Sequence, residues 1–155
     1  MSEKEILVAR LKKLKSKQLI DVEFNVYVPA NDISMVMPME IGLQMGGADS
    51  GKIALSPDGE SIRYLLENVK DADVGPFGKT EMRHEIDGAD ARHLLGCTIE
   101  GVDLVVERGV PIGLELQLSN GSRLLALNAG DQMVVRVNGD HPILHEPGIA
   151  REIVL

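Results

Sequence analysis

Ile112-Gly113-Leu114-Glu115-Leu116-Gln117-Leu118-Ser119-Asn120-Gly121-Ser122-Arg123-Leu124-Leu125-Ala126-Leu127 is the stretch on which the fold turns. Ile112, Leu114, Leu116 and Leu118 alternate with Gly113, Glu115 and Gln117, and a period of two belongs to strands. Asn120-Gly121 follows, and this dipeptide tolerates the positive φ at both central positions that a two-residue type I′ turn requires. A hairpin closed there sets Leu116 opposite Leu125 and Leu114 opposite Leu127, all on one face. Leu124 and Ala126, with Val105 and Val134 nearby, are out of phase with the other apolar residues of their strands. Such strands are apolar on both faces and need cover on both, from a helix, a second sheet or another subunit.

Working outward, residues 98–106 precede this hairpin across Arg108-Gly109, and residues 132–137 follow it. Residues 97–138 therefore read as a four-strand antiparallel meander. Upstream, Val22, Phe24, Val26 and Val28 alternate with Glu23, Asn25 and Tyr27. Met35, Met37, Met39, Ile41, Leu43 and Met45 alternate in turn, with Pro38 on the opposite face. Proline cannot donate to a ladder, so that strand is expected at an edge or at a bend. Residues 52–56 and 60–66 flank Pro57-Asp58-Gly59, a turn suited to a hairpin. This is preferred to a helix over residues 57–70 capped by Ser56. Residues 70–91 read as irregular, 90–95 as one helical turn stopped by Gly96, and the tail after Gly139 as irregular, with 153–155 as a candidate edge strand.

The N-terminus has a different period. Ile6/Leu7, Leu11 and Leu14 recur at three- and four-residue steps, which predicts an amphipathic helix over residues 3–18. Ser2 and Glu5 supply its capping box. Lys4, Arg10, Lys12, Lys13, Lys15 and Lys17 outnumber Glu3 and Glu5, so a basic helix meets an acidic body. The expectation is a mainly β (α+β) protein: an antiparallel β-barrel or sandwich-like sheet with one N-terminal amphipathic helix. The helix occupies residues 1–19 and a single β-rich domain residues 20–155, with halves 20–70 and 92–138 joined by the 70–91 loop. Residues 41–45 and 112–116 echo each other, but chance supplies one such echo between amphipathic strands, so no repeat is predicted. Residues 55–59 resemble the blade hairpins of β-propellers; the stretch occurs once, and at least four blades of ~40 residues would be needed.

Composition removes several functions. The 155 residues carry a net charge of −8 and are 3% aromatic. That disfavours nucleic-acid binding, which draws on cations for phosphates and on aromatic platforms for bases. No apolar run approaches the ~20 residues of a membrane span. Acidic residues stand where a signal peptide carries basic ones, and the single cysteine, Cys97, fits a reducing compartment, so the expected location is cytoplasmic.

Motifs that could carry chemistry are weak. Gly46-x-x-x-x-Gly51-Lys52 approaches a phosphate loop, but Ile53 stands where Ser or Thr must hold magnesium. Asp71-x-Asp73-x-Gly75 begins like a calcium loop and then places Met82 where its glutamate belongs. Met35, Met37 and Met39 are read as a core stripe in preference to a copper site. Cys97, four residues after His93, is read as a buried thiol in preference to a nucleophile. The sharpest cluster is 84–93, where His84, Asp87, Asp90 and His93 are metal-ligating types that His141 or His145 could join. Their spacing selects no geometry, and a solvated acidic loop is the simpler reading. The function expected is a non-enzymatic interaction module with no cofactor, binding itself or another protein, for which the acidic body suits a basic partner. The alternative is a metal-dependent enzyme or sensor at 84–93.

Overall fold

A computed structural model describes every residue except 33–34, 48 and 71–74, so the Asp71-x-Asp73 stretch lies outside the described residues. One helix, α1 (Glu3–Lys12), opens the chain. A first antiparallel sheet is built from β1 (Leu19–Pro29), β2 (Met37–Met45), β3 (Gly51–Leu55), β4 (Ile62–Leu65) and β5 (Gly78–Arg83), in the order β4-β3-β2-β1-β5. A small hairpin follows, β6 (Glu85–Ile86) with β7 (Ala89–Asp90). The second sheet comprises β8 (Ile99–Glu107), β9 (Val110–Leu118), β10 (Arg123–Asn128), β11 (Met133–Val137) and β12 (Ile149–Ile153), in the order β11-β10-β9-β8-β12. The fold is mainly β and sandwich-like; neither large sheet closes into a barrel.

The two sheets are built alike. Each is a four-strand meander whose first strand pairs on its free side with a strand that returns later in the chain. Val22 pairs with Leu43 as Val102 pairs with Leu116, and Val26 pairs with Pro38 as Val106 pairs with Pro111. Ile53–Tyr64 corresponds to Ala126–Val135, and Asn25–Met82 to Val105–Arg151. Both bulges recur: one follows Leu19 and Ile99, and the other leaves Met39 and Ile112 as extra residues. The entries to β1 and β8 pair across a pseudo-two-fold axis at the Gln18–Thr98 bridge. Ser16 N donates to the Ile99 carbonyl and Gly96 N to the Leu19 carbonyl, each at 2.8 Å. The molecule is an internal repeat, which the echo of 41–45 with 112–116 concealed. By strand pairing, Ile41 corresponds to Leu114, so the echo is out of register by two residues.

Several expectations need correction. The helix stops at Lys12, because Ser16 turns the chain through φ 66° into the pairing with residues 97–99. Leu14, beyond its end, is still fully buried. The Asn120-Gly121 turn is not type I′, since only Gly121 of the two has positive φ, and Gly121 N closes a four-residue turn on the Leu118 carbonyl. The extra loop residue moves the register by one: Leu116 pairs with Leu124 and Leu114 with Ala126. Leu124 and Ala126 therefore enter the core, while Leu125 and Leu127 face outward. Pro38 is at a bend and not at an edge, because β2 is interior and the bulge lies beside it. That bulge also breaks the methionine stripe. Met35 is 57% and Met39 41% exposed, so they are not core residues. The stretch read as irregular contributes β5, and the tail contributes β12 over residues 149–153.

One core lies between the sheets, with Phe24, Ile41, Ile53 and Tyr64 from the first and Leu104, Leu114, Leu116 and Leu124 from the second. Leu7, Leu11 and Leu14 extend it under α1. A smaller layer forms outside the second sheet, where Val105, Ile112, Leu125 and Leu127 meet Ile143, Leu144 and Ile149 of the tail. That tail is the second cover which the doubly apolar strands require.

Candidate functional site

The four residues of the 84–93 cluster are held in separate jobs. His84 leaves β5 beside β1, with Nδ1 3.1 Å from the Val22 carbonyl oxygen and 3.7 Å from Asp21 Oδ1. Asp87, at φ 49°, forms the β6–β7 turn with Gly88. Asp90 accepts from Arg92 N, Nε and Nη2 at 2.8–3.0 Å, and this hydrogen bonding holds its carboxyl down at about 2. His93 is 73% exposed, 3.8 Å from Asp90. In the tail, His141 Nδ1 accepts from Ile143 N, and His145 pairs with Asp140. Among the described residues, no three His, Cys, Asp or Glu side chains come together as metal ligands. Cys97 is buried and its thiol points at the His93 backbone carbonyl, 4.0 Å away, not at the imidazole. Gly51 of the glycine loop opens a strand: a Cβ there would lie 2.3 Å from the Leu65 carbonyl oxygen.

The repeat brings a different site into view, on the outward faces of the two sheets. In the second sheet, Asp103 on β8 and Glu115 on β9 stand side by side. Arg151 on β12 reaches both, with Nη1 3.1 Å from Glu115 Oε1 and 3.7 Å from Asp103 Oδ2. Arg123 lies 3.9 Å from the same glutamate, and Gln117 Nε2 donates to both carboxylates. Glu115, only 4% exposed, is thereby compensated from three directions.

The first sheet keeps one carboxylate of this frame, has Asp21 where the second has Gly101, and lacks the arginine. Glu23 corresponds to Asp103, Gln44 to Gln117, and the position of Arg151 is held by Met82. Gly42 replaces Glu115; a Cβ there would lie 2.9 Å from Val69 Cγ2, so the chain after β4 occupies that space. Lys52, the nearby cation of β3, is committed to Glu40 at 2.6 Å and Glu67 at 3.6 Å. What remains is an open cleft of about 200 Å³, walled by Gly42, Asn68 and Val69 and floored by Asp21, Glu23 and Gln44. Among the described residues no lysine or arginine pairs with Asp21 or Glu23. The Glu23 carboxyl is pushed above its ordinary 4.5 by its hydrogen bond to Asp21, then by burial and by the Asp21 charge.

That direction has a consequence for stability. A raised carboxyl binds its proton more tightly in the folded state, so its contribution is complete below the ordinary range and is lost as pH rises through the raised value. Glu23→Gln should therefore abolish part of the decline in stability between mildly acidic and neutral pH. Urea midpoints measured across that range check this; parallel profiles for the two proteins would count against a raised Glu23 carboxyl.

Comparison of the chain with protein-family models, with characterised proteins and with solved structures gives no match. The sequence reading missed this cleft because its residues are far apart in the chain. The available signal was gapped: Pro38 precedes Leu43-Gln44 by the same spacing as Pro111 precedes Leu116-Gln117.

Proposed function

We propose that this protein is a non-enzymatic interaction module whose first sheet receives a basic side chain of a protein partner between Asp21 and Glu23. One observation carries the reading: in the second half the Arg151 guanidinium lies beside Asp103, the counterpart of Glu23, and the first half holds Met82 at that position. Two neighbouring carboxylates gain from an arriving cation, because the cation offsets their mutual repulsion. Charge complementarity of this kind sets partner choice and association rate more than raw affinity. A second copy of the chain is a suitable partner, since Lys12, Lys13 and Lys15 are exposed and lack ion pairs among the described residues. The self-associating form seats one of these lysines in the cleft of its neighbour.

The test uses Met82→Arg, which supplies the missing guanidinium in cis. Titration with a hexa-arginine peptide should be at least tenfold weaker for Met82→Arg and for Glu23→Gln than for the parent chain. Sedimentation equilibrium should show both variants with a reduced tendency to associate. Peptide affinity unchanged in both variants would remove the cleft from the interaction.

A further inference from the structure

We infer that His84 regulates the acidic cleft by pH: its imidazolium sets a cation beside Asp21 and Glu23 in acid, and the neutral ring leaves the cleft free to hold a basic partner more tightly. The inference rests on the reading of that cleft as a cation site. The ring is already in place. His84 Nδ1 lies 3.1 Å from the Val22 carbonyl oxygen, which fixes the imidazole against β1, and 3.7 Å from Asp21 Oδ1. Extending the β1–β5 register one step past Phe24–Arg83 sets His84 against Glu23, as Ile153 pairs with Asp103 in the second sheet. Met82 and His84 are one strand period apart. The second sheet thus has a permanent cation, Arg151, at the first of these steps, and the first sheet has a titratable one at the next.

The charge of the ring matters because the other cations nearby are committed. On β1 the charged groups are Asp21 and Glu23. On β5 Arg83 donates to Glu81, and beyond the ring Glu85 faces Arg92 at 3.3 Å. β2 and the chain after β4 bring neutral Gln44, Asn68 and Val69 to the cleft, and Lys52 of β3 is held by Glu40 and Glu67. Histidine changes charge between about pH 5 and 8, where lysine and arginine keep theirs. On the acid side the imidazolium offsets the carboxylates from within the chain, so an arriving cation gains less. The Glu23 carboxyl reports the same coupling: its hydrogen bond to Asp21 and its burial raise it, and the His84 charge pulls it back. His84 stands beside the cleft and is nearly half exposed, so it acts by charge and not as a plug.

Titration of the full chain with hexa-arginine, at about pH 5.5 and about pH 7.5, tests the gate. His84→Asn keeps an amide donor for the Val22 carbonyl and takes up no proton. It should match the parent at the higher pH and bind at least about threefold tighter than the parent at the lower one. His93→Asn removes a ring that neighbours Asp90 instead, and should keep the parent profile. An equal fall in affinity for the parent and His84→Asn, with the peptide still lost in Glu23→Gln, would overturn the gate and leave the cleft as a cation site. Weaker binding by His84→Asn at the higher pH would also overturn it, by making the ring part of the docking surface. No binding by the parent at the higher pH would overturn the cleft reading and the gate together.

Discussion

Leu11→Ala combined with Leu14→Ala should lower the stability of the folded protein by about 5 kcal/mol, enough to unfold much of a marginally stable population. Both side chains are fully buried and belong to the core between the sheets. Single buried Leu→Ala changes cost ~2–5 kcal/mol, and neighbouring positions are not strictly additive. Lys12→Gln with Lys13→Gln, on the exposed side of the same segment, should change stability by less than ~0.5 kcal/mol. The ranking follows from burial: apolar area leaving water outweighs exposed charges screened by salt. Urea titration of both double variants checks it, with a shift in midpoint at constant slope reporting lost stability. A lysine pair that cost more than the leucine pair would show that charge, not packing, holds α1 to the sheets.

Arg151→Met should cost about 2 kcal/mol at neutral pH, between the values for exposed and fully buried ion pairs. The change recreates in the second sheet the arrangement already present in the first, but with an important difference. In the second sheet the carboxylate left behind is Glu115, 4% exposed, whereas the first sheet has Gly42 there. Removing one partner of a fully buried ion pair costs ~3–5 kcal/mol. Because Arg151 is itself 38% exposed, its loss costs less while still leaving buried Glu115 short of a cation. Arg123 at 3.9 Å and Gln117 retain part of the compensation, which reduces the loss further. Glu115→Gln introduced into the same background should restore most of the loss, because the amide carries no charge to desolvate. A double-mutant cycle in urea provides the measurement. If Arg151→Met proved neutral, Arg151 would be a surface pair of little weight, and the contrast between the sheets would lose its basis.

That contrast ties fold to function. A repeated frame presents the same strand positions twice, and divergence at a few of them decides whether the frame is closed or open. Arg151 against Met82, and Glu115 against Gly42, are two such positions on the outward faces. The first half keeps one acid of the frame, Glu23, and holds Met82 where the second half has its arginine.

Local patterning alone determined much of the architecture. The alternation of 112–118, the turn at 57–59 and the heptad-like spacing of Leu7, Leu11 and Leu14 each report a face that must be buried, and burial is a property of the residues themselves. The class of fold and most strand boundaries follow from that. Tertiary structure decided what depends on partners distant in the chain. Ser16 leaves the helix because Ile99 offers it a carbonyl, and Met39 drops out of its ladder because Val26 pairs with Pro38. Leu124 replaces Leu125 in the core because the turn before it is one residue longer than the dipeptide suggested. The acidic cleft belongs to the same class: Asp21 and Asn68 line one cleft only after the sheet has formed. A single residue's hydrophobicity is local, but compensation of a charge requires a second group at a few ångströms, and only the folded chain sets that distance.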